Sequence, residues 1–200
     1  MLDNFFLPLY FEIQSTFYMN IFMKTNEKQL LRKIRLLVLF FIAALVVSGI
    51  TAFPLVTELK IMSSFLSIDG NLPPTAYSGL RYWIATVNEG LINVNEQYPF
   101  MAYGTDWLAF AHLVIAVAFI GLYRDPVRNK WLIYFGMIAC AGIMPLAFIC
   151  GSIRQIPFYW QLIDSSFGIF GFIPLYFLHI WVKKLEQIHT PKSPKGDLSE

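Results

Sequence analysis

Apolar positions along the chain gather into four long runs, 34–56, 107–123, 131–150 and 161–182, with nearly all of the charged residues in the stretches outside them. A helix needs about 20 apolar residues to cross the ~30 Å hydrocarbon core of a bilayer, and each run comes near that length. The pattern predicts an all-α integral membrane protein, a four-transmembrane-helix bundle. The first run is too long for a cleaved leader and no small-residue cleavage site follows it, so it is expected to be its own insertion signal.

The long stretch between the first two runs, 57–105, carries a second period. Leu80, Trp83, Ile84, Val87, Leu91 and Val94 recur at spacings of three and four, while Arg81, Asn88, Glu89, Asn93 and Asn95 take the other face. This predicts an amphipathic helix. Pro73 and Pro74 are expected to open it, Ser78 to cap it, and Tyr98-Pro99 to end it. A shorter helix around 58–66 is expected to follow the first span past Pro54. The long helix would lie as a lid on the bundle or in the headgroups.

Composition agrees with the pattern. Hydrophobic residues make up 56% of the 200 and charged residues 14%, against about 25% charged in soluble domains. Charge placement adds orientation: 12 of the 15 Lys and Arg residues lie before the first run, between the second and third, or after the fourth, leaving only Lys60, Arg81 and Arg154 on the opposite side. By the retention of Lys and Arg on the cytoplasmic face, both termini are expected to be cytoplasmic and 57–105 external. The general look is that of a small bacterial inner-membrane protein. Positive residues spread over three membrane edges do not suggest a nucleic-acid partner. Trp107, Trp131, Trp160 and Trp181 stand at run ends, where amphipathic rings favour the interface.

These features divide the chain into an uncertain extension over 1–22, a four-helix membrane domain over 23–185 and a disordered cytoplasmic tail over 186–200. The apolar cluster from Phe5 to Phe11 is too short to cross, and Met19 or Met23 offers an alternative start; an interfacial segment is the other possibility. The halves show no internal repeat, which removes one sign of a transporter.

Candidate chemistry concentrates on the predicted outer side. Asp106, His112 and Asp164 are the candidates for an acid/base centre, and Arg154, Gln155, Gln161, Glu58 and Trp160 for a pocket that takes a small ligand or a partner. Each has a plain alternative. Asp106 suits a helix N-cap, Asp164 suits an ion pair with Arg154, and His112 suits a hydrogen bond to a nearby carbonyl or hydroxyl. Ser165 and Ser166 are expected to bond back one turn.

Other chemistries fit poorly. His112 and His179 would differ in depth by about 16 Å by helical rise, which argues against two axial ligands on one haem. Cys140 and Cys150 are about 15 Å apart on one helix and cannot pair, and no metal-ligand spacing is found. No cofactor or metal is therefore expected. Ala44 with Ser48, Gly136 with Cys140, and Gly168 with Gly171 offer close-packing surfaces, and Pro145 and Pro174 are expected to kink their spans.

Three functions follow as expectations: a multi-pass membrane protein with an outward-facing polar pocket for a small ligand or partner membrane protein, a membrane-embedded enzyme using a His/Asp pair, or an oligomeric small-solute or proton-coupled transporter. The inner halves of the spans are almost wholly apolar, which weighs against transport by one subunit. The partners expected are the lipid bilayer and, beyond it, another membrane protein or a second copy.

Overall fold

The computed structural model describes the backbone of residues 3–190 and the side chains of residues 24–190. The expectations for the side chains of 1–22 and for the tail over 191–200 lie outside the described residues. Those described form helices and turns, with no strand among them. The main elements are α1 (Asp3–Ala52), α2 (Leu55–Phe65), α3 (Gly79–Gln97), α4 (Tyr103–Arg124), α5 (Trp131–Pro145), α6 (Gly151–Ile153) and α7 (Phe158–His189). Four segments are long and apolar enough to cross a membrane: Lys24–Ala52, Pro99–Arg124, Trp131–Ile153 and Phe158–His189. The protein is a multi-pass membrane protein by length and composition of these helices.

Element boundaries follow local chemistry. The first predicted span continues to 56, whereas α1 stops at Ala52, because Pro54 has no N–H to donate and its ring would strike the carbonyl four residues back. Its own carbonyl then accepts from the Glu58 N–H at 3.0 Å and starts α2. The end of α2 is set by Ser67 at φ 52°, with Ile68 N–H bonded to the Ser63 carbonyl at 2.9 Å and Ser67 N–H to Ser64 at 3.1 Å. That pair of bonds is a Schellman cap. Pro74 opens a separate turn, Pro74–Ala76, and Ser78 holds the cap position of α3 with extended backbone but no side-chain cap bond.

Proline effects differ between the last two spans. Pro145 ends α5 and is followed by a wide π-helical turn, Leu146–Cys150, which is how a helix absorbs a position that cannot continue the i to i−4 ladder. Pro174 lies inside α7, which stays helical from Phe158 to His189.

Two close-packed helix pairs make the bundle. In one, α1 runs against α4, and a Cβ at Gly49 would lie 2.9 Å from the Ala109 carbonyl oxygen. In the other, α5 runs against α7 at Gly136 and Gly168, where added Cβ atoms would meet Leu175 at 3.0 Å and the Cys140 carbonyl at 2.6 Å. Small residues let backbones approach in lipid, where apolar side chains gain nothing by leaving one hydrocarbon for another. α1 also packs on α7, whereas no Cα of α4 lies within 8 Å of one in α7.

The core sits toward the end that carries most of the basic residues. Ile34, Val38, Phe119, Leu122, Leu132, Ile133, Leu175, Leu178, Val182 and Leu185 are buried together there, joining all four spans by dispersion contacts. Only 11 to 28% of the most apolar stretch of each span is buried, so most of each helix is left to lipid. Phe40, Val117, Ile138 and Phe170 illustrate this, each more than half exposed. At the basic end Lys130 Nζ meets Glu186 Oε1 at 2.6 Å and His189 Nε2 meets Glu27 Oε1 at 2.8 Å. Glu186 and His189 supply these partners because α7 continues beyond 182, where the fourth predicted span stops, and keeps the first residues of the expected 186–200 tail helical as far as His189.

Candidate functional site

At the opposite end, α2 and α3 form a cap. Arg81 donates to the Ser67 carbonyl and lies over the Tyr77 ring, 4.8 Å from its centre. Tyr77 Oη accepts from the Asp69 N–H at 2.7 Å, so the link between α2 and α3 is tied to both ends of itself. Two contacts then join the cap to α7. The Tyr159 hydroxyl donates to the Gly79 carbonyl at 3.3 Å, and Trp160 faces Trp83 with ring centres 6.4 Å apart and planes at 55°.

Beneath these contacts lies a cavity of about 300 Å³. α2 contributes Leu55, Glu58, Leu59 and Met62, α3 contributes Trp83, Ile84, Val87 and Leu91, and α7 contributes Trp160. The amphipathic periods of α2 and α3 create it: their apolar faces turn toward one another, burying Leu59 and Ile84. Glu58 is half-buried, and its carboxylate has no hydrogen-bond or ion-pair partner among the described residues. The Trp83 indole Nε1 is buried and likewise without a protein acceptor. A carboxylate and two indole faces around an apolar chamber are the groups that hold an organic cation, by Coulomb attraction and by cation–π contact.

A second cavity, of about 270 Å³, adjoins the first across Leu55 and Leu91 and is lined by Asp106 and Thr105. Asp106 falls in the first turn of α4, which opens at Tyr103 with Ala102 in the cap position and no side-chain cap bond. The 3₁₀ turn Pro99–Ala102 starts the helix earlier than the apolar run does, and so Asp106 is not an N-cap. The Thr105 hydroxyl donates to the Ala102 carbonyl at 2.8 Å, leaving the Asp106 carboxylate without a partner among the described residues. It still sits where the helix dipole favours negative charge.

The other sequence candidates lie elsewhere. His112 Nδ1 bonds the Leu108 carbonyl at 2.8 Å within its own helix, which satisfies one ring nitrogen locally. Asp164 is half-buried, with neither a hydrogen bond nor an ion pair to Arg154 or to any other described residue. No such bond joins Asp106, His112 and Asp164 to one another; the first two share α4, and Asp164 stands on α7, none of whose Cα atoms comes within 8 Å of one in α4. Arg154 and Gln155 are exposed on the turn before α7. Gln155 sits at φ 57°, and Ile156 N–H bonds the Gly151 carbonyl at 2.9 Å, so Gln155 occupies the left-handed position of a second Schellman cap. Gln161 is 4% exposed and its amide donates to the Ile156 carbonyl at 2.7 Å. Of the five predicted pocket residues, Glu58 and Trp160 line the cavity; Arg154, Gln155 and Gln161 build the turn that positions Trp160. Ser165 and Ser166 donate to the carbonyls of Gln161 and Ile163, and His179 meets the Tyr134 ring with centres 5.3 Å apart and planes tilted by 58°.

Trp83 and Tyr159 are the residues missed as site members. Trp83 was visible as part of an apolar helix face, but its pairing with Trp160 spans 77 positions and no local signal announces it. No protein-family model matches the chain, and neither a search of curated proteins nor one of solved structures finds a match.

Proposed function

We propose that the protein binds a small amphiphilic cation in the cavity beneath its capping helices. The observation that carries this is the unpartnered Glu58 carboxylate beside the paired rings of Trp83 and Trp160. A volume of about 300 Å³ is at the low end of small-molecule pockets and is too small for a helix of a partner protein. Asp106 in the adjoining cavity adds a second negative group on the approach. The setting proposed is the cytoplasmic membrane of a bacterium, with both termini inside and the cap facing out; support comes from the one-sided distribution of Lys and Arg. Ligand capture is favoured over catalysis because His112, Asp164 and Asp106 share no contact, and over transport because the cavity lies at one end of the bundle.

The test uses the full chain in nanodiscs of zwitterionic lipid, titrated with tetraethylammonium and short alkyltrimethylammonium ions while tryptophan fluorescence is followed. Saturable quenching is expected, weakened about tenfold by Glu58→Gln and by Trp160→Ala. Equal binding of a neutral alcohol of the same shape, or no effect of Glu58→Gln, would sink the reading.

A further inference from the structure

The basic end of α1 carries a second built surface that is independent of the cap. Lys28, Arg32 and Arg35 are spaced by four and three residues, which places their side chains within about 60° of helix circumference at 100° per residue. They line one cavity of about 290 Å³ together with Leu36, Leu39 and Tyr123. Arg35 lies over the Tyr123 ring at 5.7 Å from its centre, so α1 and α4 form the two walls. None of the three cations has a carboxylate partner among the described residues; the acid closest in sequence, Glu27, is engaged by His189.

Depth supplies the second half of the inference. From Lys28 to Arg35 the helix rises about 10 Å, comparable to the headgroup layer, and from Arg35 to Leu39 a further 6 Å or so into the apolar region. Leu36 and Leu39 are 60% and 49% exposed and continue the same stripe. The surface is thus positive where phosphates lie and apolar where acyl chains begin. We infer that this groove is a binding site for an anionic phospholipid: the guanidinium groups of Arg32 and Arg35 and the Lys28 ammonium hold the headgroup phosphate, and one acyl chain lies along Leu36 and Leu39. Guanidinium groups suit this because their fork pairs with two phosphate oxygens at once, and each basic residue adds an increment of attraction for anionic lipid.

The experiment measures lipid binding to the delipidated full chain in neutral detergent, by native mass spectrometry and by the shift in thermal unfolding. Phosphatidylglycerol is expected to bind saturably and raise the unfolding temperature, whereas phosphatidylcholine and inorganic phosphate do neither. The double variant Arg32→Gln, Arg35→Gln should weaken phosphatidylglycerol at least about tenfold, given roughly fivefold per residue. Both residues are exposed, and unfolding without lipid reports whether the variant is folded. Should it fail, the single variants Lys28→Gln and Arg32→Lys carry the same test at smaller amplitude. A control pair at the same end, Lys183→Gln with Lys184→Gln, lies outside the groove and should leave binding intact. If the control weakens binding as much, the attraction is general to the basic end and the site is overturned. It is equally overturned if inorganic phosphate stabilises as well as the lipid does, since the occupant is then a free anion.

Discussion

Gly168 of α7 lies so close to α5 that a Cβ there would stand 2.6 Å from the carbonyl oxygen of Cys140, a backbone atom that cannot turn aside. The neighbouring Gly171 meets the same residue differently, with its added Cβ 2.8 Å from Cys140 Sγ. Gly168→Ala must therefore separate the two helices, at a cost of ~1–3 kcal/mol typical of overpacking. Gly171→Ala should lose stability too, but Cys140→Ala in the same chain removes the obstructing sulfur and should restore it. Thermal unfolding in detergent checks both. Rescue of Gly168→Ala by Cys140→Ala would show that the contact is not with the backbone.

Gln161 holds the turn before α7 in its buried position. Its amide donates to the Ile156 carbonyl at 2.7 Å, and the Ser152 hydroxyl approaches its Oε1 at 3.5 Å. Gln161→Leu keeps the volume while stranding the carbonyl, and should cost ~1–2 kcal/mol. Gly151 is packed against the same side chain, an added Cβ falling 2.8 Å from Gln161 Cγ. Gly151→Ala is thus expected to destabilise the native chain and to be better tolerated once Gln161 is shortened to Ala. Additive losses in the double variant would count against this contact.

Gln155 carries a conformational cost that the turn imposes. At φ 57° its Cβ crowds the following carbonyl, and a residue other than glycine in this region gives up ~1–2 kcal/mol. Part of that returns on substitution by glycine, less the extra chain entropy of a glycine in the unfolded state. Gln155→Gly should raise stability by ~0.5–1 kcal/mol, measured as an increase in unfolding temperature, and Gln155→Val should lower it.

These contacts also show which parts of the fold were legible in the sequence. Span count came from apolar runs of bilayer length, and the α2/α3 pattern from a three-and-four period, because both are local properties of consecutive residues. Pro54 lies inside a first predicted span that runs to 56, whereas the helix stops two residues before it. Gly168 was recognised as a packing position, whereas Gly49, beside the expected Ala44 and Ser48, was not: which small residue faces a partner depends on helix rotation. The site divided in the same way. Glu58 and Trp160 were legible as polar and amphipathic groups at a span edge, but Trp83 and Tyr159 join them only through side-chain contacts between α3 and the start of α7. Arg154, Gln155 and Gln161 shared that edge in sequence, and their polarity serves turn geometry rather than the cavity.

Lys130 and Glu186 give the clearest pH dependence. The hydrogen-bonded Glu186 carboxylate, 2.6 Å away, is the main cause that holds the Lys130 ammonium above its ordinary range, with its Coulomb attraction adding to this and desolvation partly opposing it. A folded-state pKa above the unfolded one means the pair's contribution is fully present below about 10.4, the ordinary lysine value. It is lost as pH rises through the folded value. The native chain should therefore show a stability advantage over Lys130→Met that is flat from about pH 8 to 10 and shrinks above that. Salt should reduce it throughout, since both groups are partly exposed. An advantage that grows with alkaline pH would contradict the pairing.

Trp83 allows the ligand role to be separated from the structural one. Its indole Nε1 is buried without a protein acceptor among the described residues, so the donor contributes nothing to folding and carries its desolvation cost. Trp83→Phe removes that donor while keeping a ring against Trp160, and the loss of ring area is offset by the end of the unmet donor, worth ~1–3 kcal/mol when buried. Stability should stay within about 1 kcal/mol of the native chain, whereas Trp83→Ala, which empties the cavity wall, should lose ~3 kcal/mol or more. Binding of alkylammonium ions should follow a different order. Phenylalanine offers a weaker cation–π face than tryptophan, so Trp83→Phe is expected to bind several-fold more weakly at nearly unchanged stability. If Trp83→Phe instead loses stability and binding together, Trp83 is a packing residue and the cation is held elsewhere.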